Sequence, residues 1–538
     1  MDKTGYEIKA YKGGDESINA IHLKNGARRA GNCGIDLGTS SVKASVFDEH
    51  GRQLAFSRRE IDLVLPQTGL AELEPENYLN KVYETLADVS AQCRGNIVSI
   101  AVSSQAQAVV PVDHKGNPLY NIIVTMDNRT LQQYRFWKEH HDEWEIYKRT
   151  GNGFASIYTV NKIMWFKENR PDIYEKAWKF CCVQDYVVFK LTGEGPFIDY
   201  SMAGRTMMLS SKRPEWDSGV LDMAGISKNK LSEPVKSTAI IGRVREDIRA
   251  GLGLSRTCRV VLGGHDQACG AIGSGVITPG MVMDACGTVD AMVSVLPGFI
   301  IDRAMLENKL PCYRHADGTN YITMAINTNG GLFLKWYKNT FCHEESQLCG
   351  EQNCDIYTYI IKECANTPAD IYVLPHLEGA GTPVNNPLSL GAIIGLRVTH
   401  TKKDITRAVL DSLGYEMKLN LMAIEQSTGQ SIEEIRMIGG GAKTPKWLQI
   451  KADIFNRSIT VLETQEAASL GAAIAGAVGT GYFEDFGQAI SHMVRPKETY
   501  IPNPAMVKEY ETRFEEYKNI YPGLKDINER ISSRTSIY

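Results

Sequence analysis

Two stretches of this chain share one arrangement of apolar and polar positions. In Gly34-Ile35-Asp36-Leu37-Gly38-Thr39-Ser40-Ser41-Val42-Lys43, a short apolar run carrying one acid enters a Gly-Thr-Ser-Ser turn. Val42, Ala44 and Val46 then alternate with Lys43, Ser45 and Phe47. The pattern predicts a β-hairpin whose tip is made of backbone N–H groups and hydroxyls, a shape suited to gripping phosphate. An ordinary polar hairpin tip would also favour Gly, Thr and Ser. A second copy weighs against that reading. Asp284-Ala285-Cys286-Gly287-Thr288-Val289-Asp290-Ala291-Met292-Val293 again sets an acid and then Gly-Thr at the entry to an alternating strand. Thr39 and Thr288 lie about half a chain apart, which suggests two related domains rather than a short tandem repeat. Such hairpins, facing each other across a cleft, would hold the two ends of a nucleoside triphosphate.

The remaining pattern alternates strands with helices. A strand is expected over Gln53–Ile61, and Pro75 opens a helix to about Cys93, Pro being tolerated in the first turn. Strands follow at Ile97–Ser103 and Ala108–Val112, with helices near 130–149 and 160–169. The strand Arg259–Leu262 runs into a Gly263-Gly264 turn and a helix from near Ala268. In the second half, strands are expected near 281–295, 320–326 and Ile435–Ile438, with helices from Gly331, over 403–427 and from Pro445. This order predicts layered α/β domains with mixed sheets. Gly270, Gly273, Gly275 and Gly280 are read as loosening the chain at a domain boundary near 270–280. The expected organisation is an N-terminal arm over 1–30, domains over 31–275 and 276–490, and a helical tail over 491–538.

Composition narrows the class. The 538 residues suffice for two large cores, and 43% hydrophobic with 23% charged residues is ordinary globular composition. A net charge of −4 without a long basic run argues against nucleic acid and anionic membranes as partners. No run of apolar residues is long enough to span a bilayer, and the first thirty residues lack the apolar core of a signal peptide. The twelve cysteines form no C-x-x-C pair, which fits reduced thiols in a cytoplasmic protein. Cys342, His343, Cys349, Cys354 and Cys364 cluster in sequence, but their spacing matches no common zinc module.

Several longer motifs occur in order along one chain. Tyr158–Asn169 carries Lys162, Trp165 and a Glu168-Asn169 pair. Gly391-Ala392-Ile393-Ile394-Gly395-Leu396 is followed after seven residues by Asp404–Asp411. Gly439-Gly440-Gly441-Ala442 precedes Trp447, Gln449 and Ala452-Asp453, and Glu466–Ala473 closes the series. Together with Gly34–Lys43, these segments resemble the FGGY carbohydrate kinase family of the actin/hexokinase superfamily, over roughly 31–490. The resemblance implies two actin-like, ribonuclease H-like α/β domains with mixed sheets, flanking helices and an active site in the cleft between them. It also implies ATP and Mg²⁺, and a small-molecule sugar or polyol as acceptor; it leaves a homodimer open.

Phosphoryl transfer to a hydroxyl needs an in-line acceptor, charge neutralisation and a carboxylate to take the proton. Asp266, at a strand end, is where the family places its catalytic acid; by local pattern it could equally cap the helix after it. Asp36 is assigned to the Mg²⁺–phosphate end, through water, so Asp36 and Asp266 are the carboxylates around the metal. Thr39, Ser40 and Lys43 should face phosphates, and Gly287 and Thr288 match the second phosphate loop. Gly331, opening a helix after Gly330, could direct a backbone N–H at the phosphates, and Gly440, Gly441 and Ala442 should leave room for adenosine. Gln105, Gln107, Asp127, Arg129 and Gln267 are the substrate candidates. Asp127 and Arg129 could meet sugar hydroxyls or form a local ion pair, and Gln267 could face substrate or solvent. Two positions depart from xylulokinase-like members: Ala106-Gln107 replaces a Met-His pair, and Thr125 stands where Trp is usual. These departures predict a preference other than D-xylulose. A chaperone-like ATPase or a sugar-binding regulator of the same superfamily is the alternative.

Overall fold

A computed structural model describes residues 31–368 and 370–534; the arm expected over 1–30 lies outside them. Six strands form the first sheet: β1 (Gly31–Leu37), β2 (Ser41–Phe47), β3 (Gln53–Glu60), β4 (Ile97–Ser104), β5 (Ile240–Arg243) and β6 (Arg259–His265), in the order β5-β6-β4-β1-β2-β3. Seven form the second: β7 (Met281–Cys286), β8 (Asp290–Leu296), β9 (Tyr313–Arg314), β10 (Tyr321–Asn327), β11 (Glu434–Gly439), β12 (Ser458–Leu462) and β13 (Pro496–Tyr500), in the order β9-β10-β8-β7-β11-β12-β13. The two sheets repeat one plan. β3-β2-β1 and β10-β8-β7 are antiparallel meanders, β4 and β6 continue parallel to β1, and β11 and β12 continue parallel to β7. The predicted hairpins are therefore equivalent elements of a duplicated fold. The C-terminal tail, expected to be helical, also contributes β13, which pairs antiparallel with β12.

Local sequence accounts for the helices that support these sheets. Helix α1 (Pro75–Gln92) starts at Pro75, with the Glu74 carboxylate accepting from the N–H groups of Glu76 and Asn77. It buries Tyr78, Val82, Leu86 and Val89, each fully buried aliphatic side chain contributing roughly 1.5–3 kcal/mol. The remaining helices that matter here are α2 (Asp266–Gly273), α3 (Gly330–Phe341), α4 (Lys402–Thr428), α5 (Pro445–Phe455) and α6 (Ala467–Gly479). Helix α4 opens on a capping box between Thr401 and Asp404.

Two helices cross between the sheets. Helix α2 leaves β6, yet Ala268, Ala271 and Ile272 pack among Met283, Val293 and Val295 of the second sheet. Helix α6 follows β12 and packs against β1, β4 and β6 of the first. Their crossing is close because it is lined by glycines. A Cβ on Gly273 would lie 1.9 Å from the Ala467 carbonyl oxygen, one on Gly471 1.8 Å from that of Cys269, and one on Gly34 1.7 Å from that of Ser469. Gly270 and Gly273 thus do not loosen the chain; both sit inside α2, Gly273 permitting the contact with α6 and Gly270 lying against Met283. Gly263 and Gly264 also differ from expectation. No turn forms there, because β6 continues to His265 across a register shift at Gly263, whose φ is +82°. A Cβ on Gly263 would come within 2.1 Å of the Val102 carbonyl oxygen, so glycine allows the bulge against β4.

Candidate active site

The carboxyl ends of β1, β4 and β6 lie side by side. Asp36 pairs with Ser103, and Ser103 pairs with Gly264. Asp266 follows one residue beyond the end of β6. The Ser103 hydroxyl donates to Asp36 Oδ1 at 3.1 Å, and Lys43 Nζ stands 4.0 Å from Asp36 Oδ2. Burial pushes Asp36 up to about 6, Lys43 pulls it down, and the neighbouring charges of Asp266 and Glu466 push it up. The two carboxylates therefore feel each other, as two hard oxygen ligands beside a divalent cation would.

Asp266 is the first residue of α2, so the helix begins two residues earlier than expected and His265 occupies the cap position. Asp266 Oδ1 accepts from its neighbour's N–H, Gln267 N, at 2.6 Å, and His265 Nε2 lies 3.1 Å from the same oxygen. The Asp266 side chain remains 32% exposed. Gln105 and Gln267 stand at the same strand ends. Thr39 Oγ1 donates to Gln105 Oε1 at 2.9 Å, while Gln105 Nε2 and Gln267 Oε1 are buried without a protein partner. A buried donor and a buried acceptor left over beside two carboxylates suit a polyhydroxylated ligand.

Other substrate candidates are placed differently. Asp127 is buried, and its two oxygens take the N–H groups of Ala71 and Arg129 together with Arg129 Nε and Nη2. Those four donors fill the acceptor capacity of a carboxylate. Arg129 also reaches Glu72 Oε1 at 2.6 Å, and its guanidinium stacks over the Trp165 ring at 4.8 Å. Asp127 and Arg129 are thus a buried ion-pair brace, and the expectation of direct sugar contacts gives way to the local ion pair. Gln107 has a φ of +61°. In the amide orientation that satisfies it, its nitrogen donates to the Ala106 carbonyl at 3.1 Å and its oxygen accepts from Arg205 Nε and Nη2 at 3.2 Å. Thr125 Oγ1 donates to the Ala106 carbonyl as well.

On the second sheet, the β7–β8 turn exposes Gly287 and Thr288. Gly331 does not offer its N–H to a ligand as expected, since that group donates to the Gly287 carbonyl at 2.9 Å. Leu332 N likewise donates to the Thr288 carbonyl, so α3 props the turn. The second acid of the repeat also departs from the first. Asp284 is fully buried, with Lys451 Nζ donating to its Oδ2 at 2.9 Å and standing 4.0 Å from Asp290 Oδ2. Gly440–Lys443 form a single tight turn between β11 and α5. The Gly440 Cβ direction has no heavy atom nearer than 4.0 Å, but a Cβ on Gly441 would meet Cys286 Sγ at 2.3 Å. Gly440 therefore borders open space, whereas Gly441 is small for the sake of Cys286. A cavity of about 300 Å³ lined by Ile438, Gly439, Ala442, Lys443, Glu463 and Tyr500 lies beside this turn, at the carboxyl ends of β11 and β12.

Ser40 is exposed at the first hairpin tip, and Lys43 is ion-paired with Glu466 at 3.0 Å. Sequence reasoning passed over His265, Arg205, Tyr313, Lys451 and the Lys43–Glu466 pair. Only His265, adjacent to Asp266 in Gly-Gly-His-Asp-Gln, carried a local signal. Among the described residues no three metal-ligating side chains converge. Nor is any helix there long and apolar enough to cross a membrane.

Comparison with known proteins adds three findings. Models of the FGGY family of carbohydrate kinases match the chain, the N-terminal domain over residues 32–273 and the C-terminal domain over 302–480. A xylulose kinase of Bacillus subtilis (strain 168) is 30% identical over 507 residues, covering 93% of this chain and 98% of that protein; a gluconokinase of the same organism is 30% identical over 485 residues, covering 89% and 93%. The crystal structure of a gluconate kinase from Lactobacillus acidophilus superposes with a TM-score of 0.84 at 24% identity, over 92% of this chain and 98% of that one.

Proposed function

This chain belongs to the FGGY family of carbohydrate kinases, and we propose that Asp266 takes the proton from a sugar or sugar-alcohol hydroxyl as that oxygen attacks the γ-phosphorus of ATP. The observation that carries this reading is the state of the Asp266 carboxylate. Its Oδ1 accepts from Gln267 N, its side chain is one-third exposed, and its Oδ2 is left over at the strand ends near Asp36. A base must present a free lone pair to the hydroxyl it deprotonates. The attacking oxygen forms its bond to phosphorus, the bond to ADP breaks with its electron pair leaving on ADP, and the proton rests on Oδ2.

Asp36 and Asp266 fit Mg²⁺, which takes few protein carboxylates and fills its remaining positions with water and phosphate oxygens. When bound, it neutralises charge on the phosphates. Asp36 would hold it, with Lys43 and Ser103 orienting the carboxylate. Thr39, Ser40, Gly287 and Thr288 border the phosphates from the two hairpins, and Gly440 with Ala442 borders adenosine beside the 300 Å³ cavity. Gln105 Nε2 and Gln267 Oε1 meet acceptor hydroxyls. The free thiols, nine of twelve buried, accord with a cytoplasmic enzyme.

The test is a coupled ADP-release assay with Mg·ATP across D-xylulose, D-ribulose, D-gluconate and glycerol. Turnover should be slow without acceptor and much faster with one of them. Asp266→Asn should lower turnover by about 10²–10⁴-fold while both ligands still bind. Near-normal turnover in a folded Asp266→Asn protein would remove the carboxylate from this role.

A further inference from the structure

We propose that Thr39 and Gln105 couple the two ligand sites: the one hydrogen of the Thr39 hydroxyl rests on Gln105 until phosphate takes it, and the freed amide oxygen then takes an acceptor hydroxyl. The inference rests on the reading above, in which Thr39 borders the phosphates and Gln105 the acceptor. Each ligand thereby tightens the binding of the other through a single hydrogen bond.

The two residues stand on one held frame. Thr39 lies two residues beyond β1 and Gln105 one residue beyond β4, where Leu37 pairs with Ser104. Gln105 N donates to the Leu37 carbonyl at 3.0 Å, which carries the parallel ladder one step past its end. The hairpin tip is pinned on both sides of Thr39. Gly38 N donates to the Ser41 carbonyl at 3.0 Å, and the Tyr78 hydroxyl donates to the Gly38 carbonyl at 2.9 Å. On the other side, Ile61 N donates to the Ser40 carbonyl at 2.9 Å. With the backbone held, the part free to turn is the Thr39 hydroxyl.

Donor accounting gives the coupling its sign. A threonine hydroxyl has one hydrogen to donate, and here it goes to Gln105 Oε1 at 2.9 Å. Phosphate oxygens only accept, so a phosphate gripped by this hydroxyl takes the hydrogen away from Gln105. The Tyr78 hydroxyl beside the amide cannot replace it, because its own hydrogen is on the Gly38 carbonyl. Gln105 is 5% exposed, and its Nε2 already lacks a protein partner. Phosphate binding alone would therefore leave both ends of a buried amide unpaired, which costs more than a typical hydrogen bond contributes. Two adjacent hydroxyls of a sugar or polyol remove that cost, one donating to Oε1 and the next accepting from Nε2. Acceptor binding is thus favoured once phosphate is in place, and by linkage phosphate binding is favoured to the same degree once the acceptor is in place.

The experiment reads binding in the full chain. The probes are Mg·AMP-PNP, which transfers no phosphoryl group, and whichever of D-xylulose, D-ribulose, D-gluconate or glycerol binds most tightly beside it. Calorimetry gives the acceptor Kd alone and with saturating nucleotide, and their ratio is the coupling factor. In wild type the factor should be about fivefold or more, and acceptor should change the nucleotide Kd equally. Thr39→Val keeps the side-chain shape and removes the hydroxyl, so the factor should fall by about fivefold. Because its Gln105 is always released, this variant should bind acceptor more tightly than wild type when nucleotide is absent; a merely structural role would weaken that binding instead. Thr39→Ser keeps the hydrogen and should keep the factor. If Thr39→Val is unfolded, Thr39→Ala decides. A wild-type factor in the folded hydroxyl-free variant, or a factor near one in wild type, would overturn this inference and leave Asp266 as the base. Full turnover in Asp266→Asn would remove the base and leave the coupling, which is read from binding alone. Absence of binding by all four acceptors would overturn both.

Discussion

Lys43 Nζ stands 3.0 Å from Glu466 Oε2 and 4.0 Å from Asp36 Oδ2, so one ammonium joins the first hairpin to the entry of α6. The pair links residues 423 positions apart, from the two halves of the duplicated fold. Its consequence is electrostatic. Asp36 stands at about 6 because burial outweighs Lys43, with Asp266 and Glu466 adding to the upward push.

That balance predicts opposite effects for the two partners. An Asp36 that must be ionised to hold a cation makes kcat/KM for Mg·ATP fall as pH drops through about 6. Lys43→Met removes a lowering influence and should shift this acid limb to higher pH; Glu466→Gln removes a raising one and should shift it lower. The check is kcat/KM for Mg·ATP between about pH 5 and 8. Shifts of the same sign in both variants would exclude Asp36 as the titrating group.

The duplicated hairpins, the long helix α4 and the strand ends bearing Asp36 and Asp266 were legible in the sequence, because strand alternation, capping residues and Gly-Thr turns are local signals. What was misread depended on distant neighbours. Gly263 looks like a turn residue until the Val102 carbonyl is placed beside it, and Gly273 looks like a hinge until Ala467 crosses it. Asp127 looks free to bind until Ala71 and Arg129 fill its oxygens. His265 and Tyr313 are 48 residues apart, and Lys451 and Asp284 are 167 apart, so no window of local pattern contains either pair.

The second of those pairs predicts a large stability effect. Lys451 is fully buried between Trp447 and Phe455 and neutralises Asp284 beneath the second hairpin. Lys451→Met would strand Asp284 and Asp290 together in the core, a change that costs about 3–5 kcal/mol for a buried pair broken from one side. Urea unfolding should show it, and adding Asp284→Asn should restore part of the loss. A variant as stable as wild type would mean that the carboxylates are already neutral.

The glycines of the tight turn should separate by function. Gly440 faces open space, so Gly440→Val should raise the KM for ATP while leaving the thermal midpoint nearly unchanged. Gly441→Val collides with Cys286 at the base of the second hairpin, so it should raise the KM for ATP and lower the midpoint as well. An unchanged KM in Gly440→Val would show that the turn does not border the nucleotide.

Specificity should turn on Arg205. Its side chain is buried, yet among the described residues no carboxylate pairs with it; its partners are the Asn152 and Gln107 amide oxygens and the faces of Tyr158 and Tyr313. A buried cation normally finds an anion, because burial without one is costly. Gln107 therefore cannot serve as the free donor and acceptor that its place in the sequence suggested; its oxygen is spent on Arg205. With Ala106 in place of Met and Thr125 in place of Trp, the wall that resembles a xylulokinase site has lost apolar volume and stands next to a positive charge. That combination disfavours a neutral ketopentose relative to an acidic sugar such as D-gluconate, since a site rejects ligands that leave its polar groups unpaired. Comparing kcat/KM across D-xylulose, D-ribulose, D-gluconate and glycerol should find D-xylulose not preferred, and Arg205→Met should penalise D-gluconate more than the neutral acceptors. A tenfold or greater lead for D-xylulose, worth about 1.4 kcal/mol in transition-state binding, would show that neighbouring side chains have restored the pocket those substitutions opened.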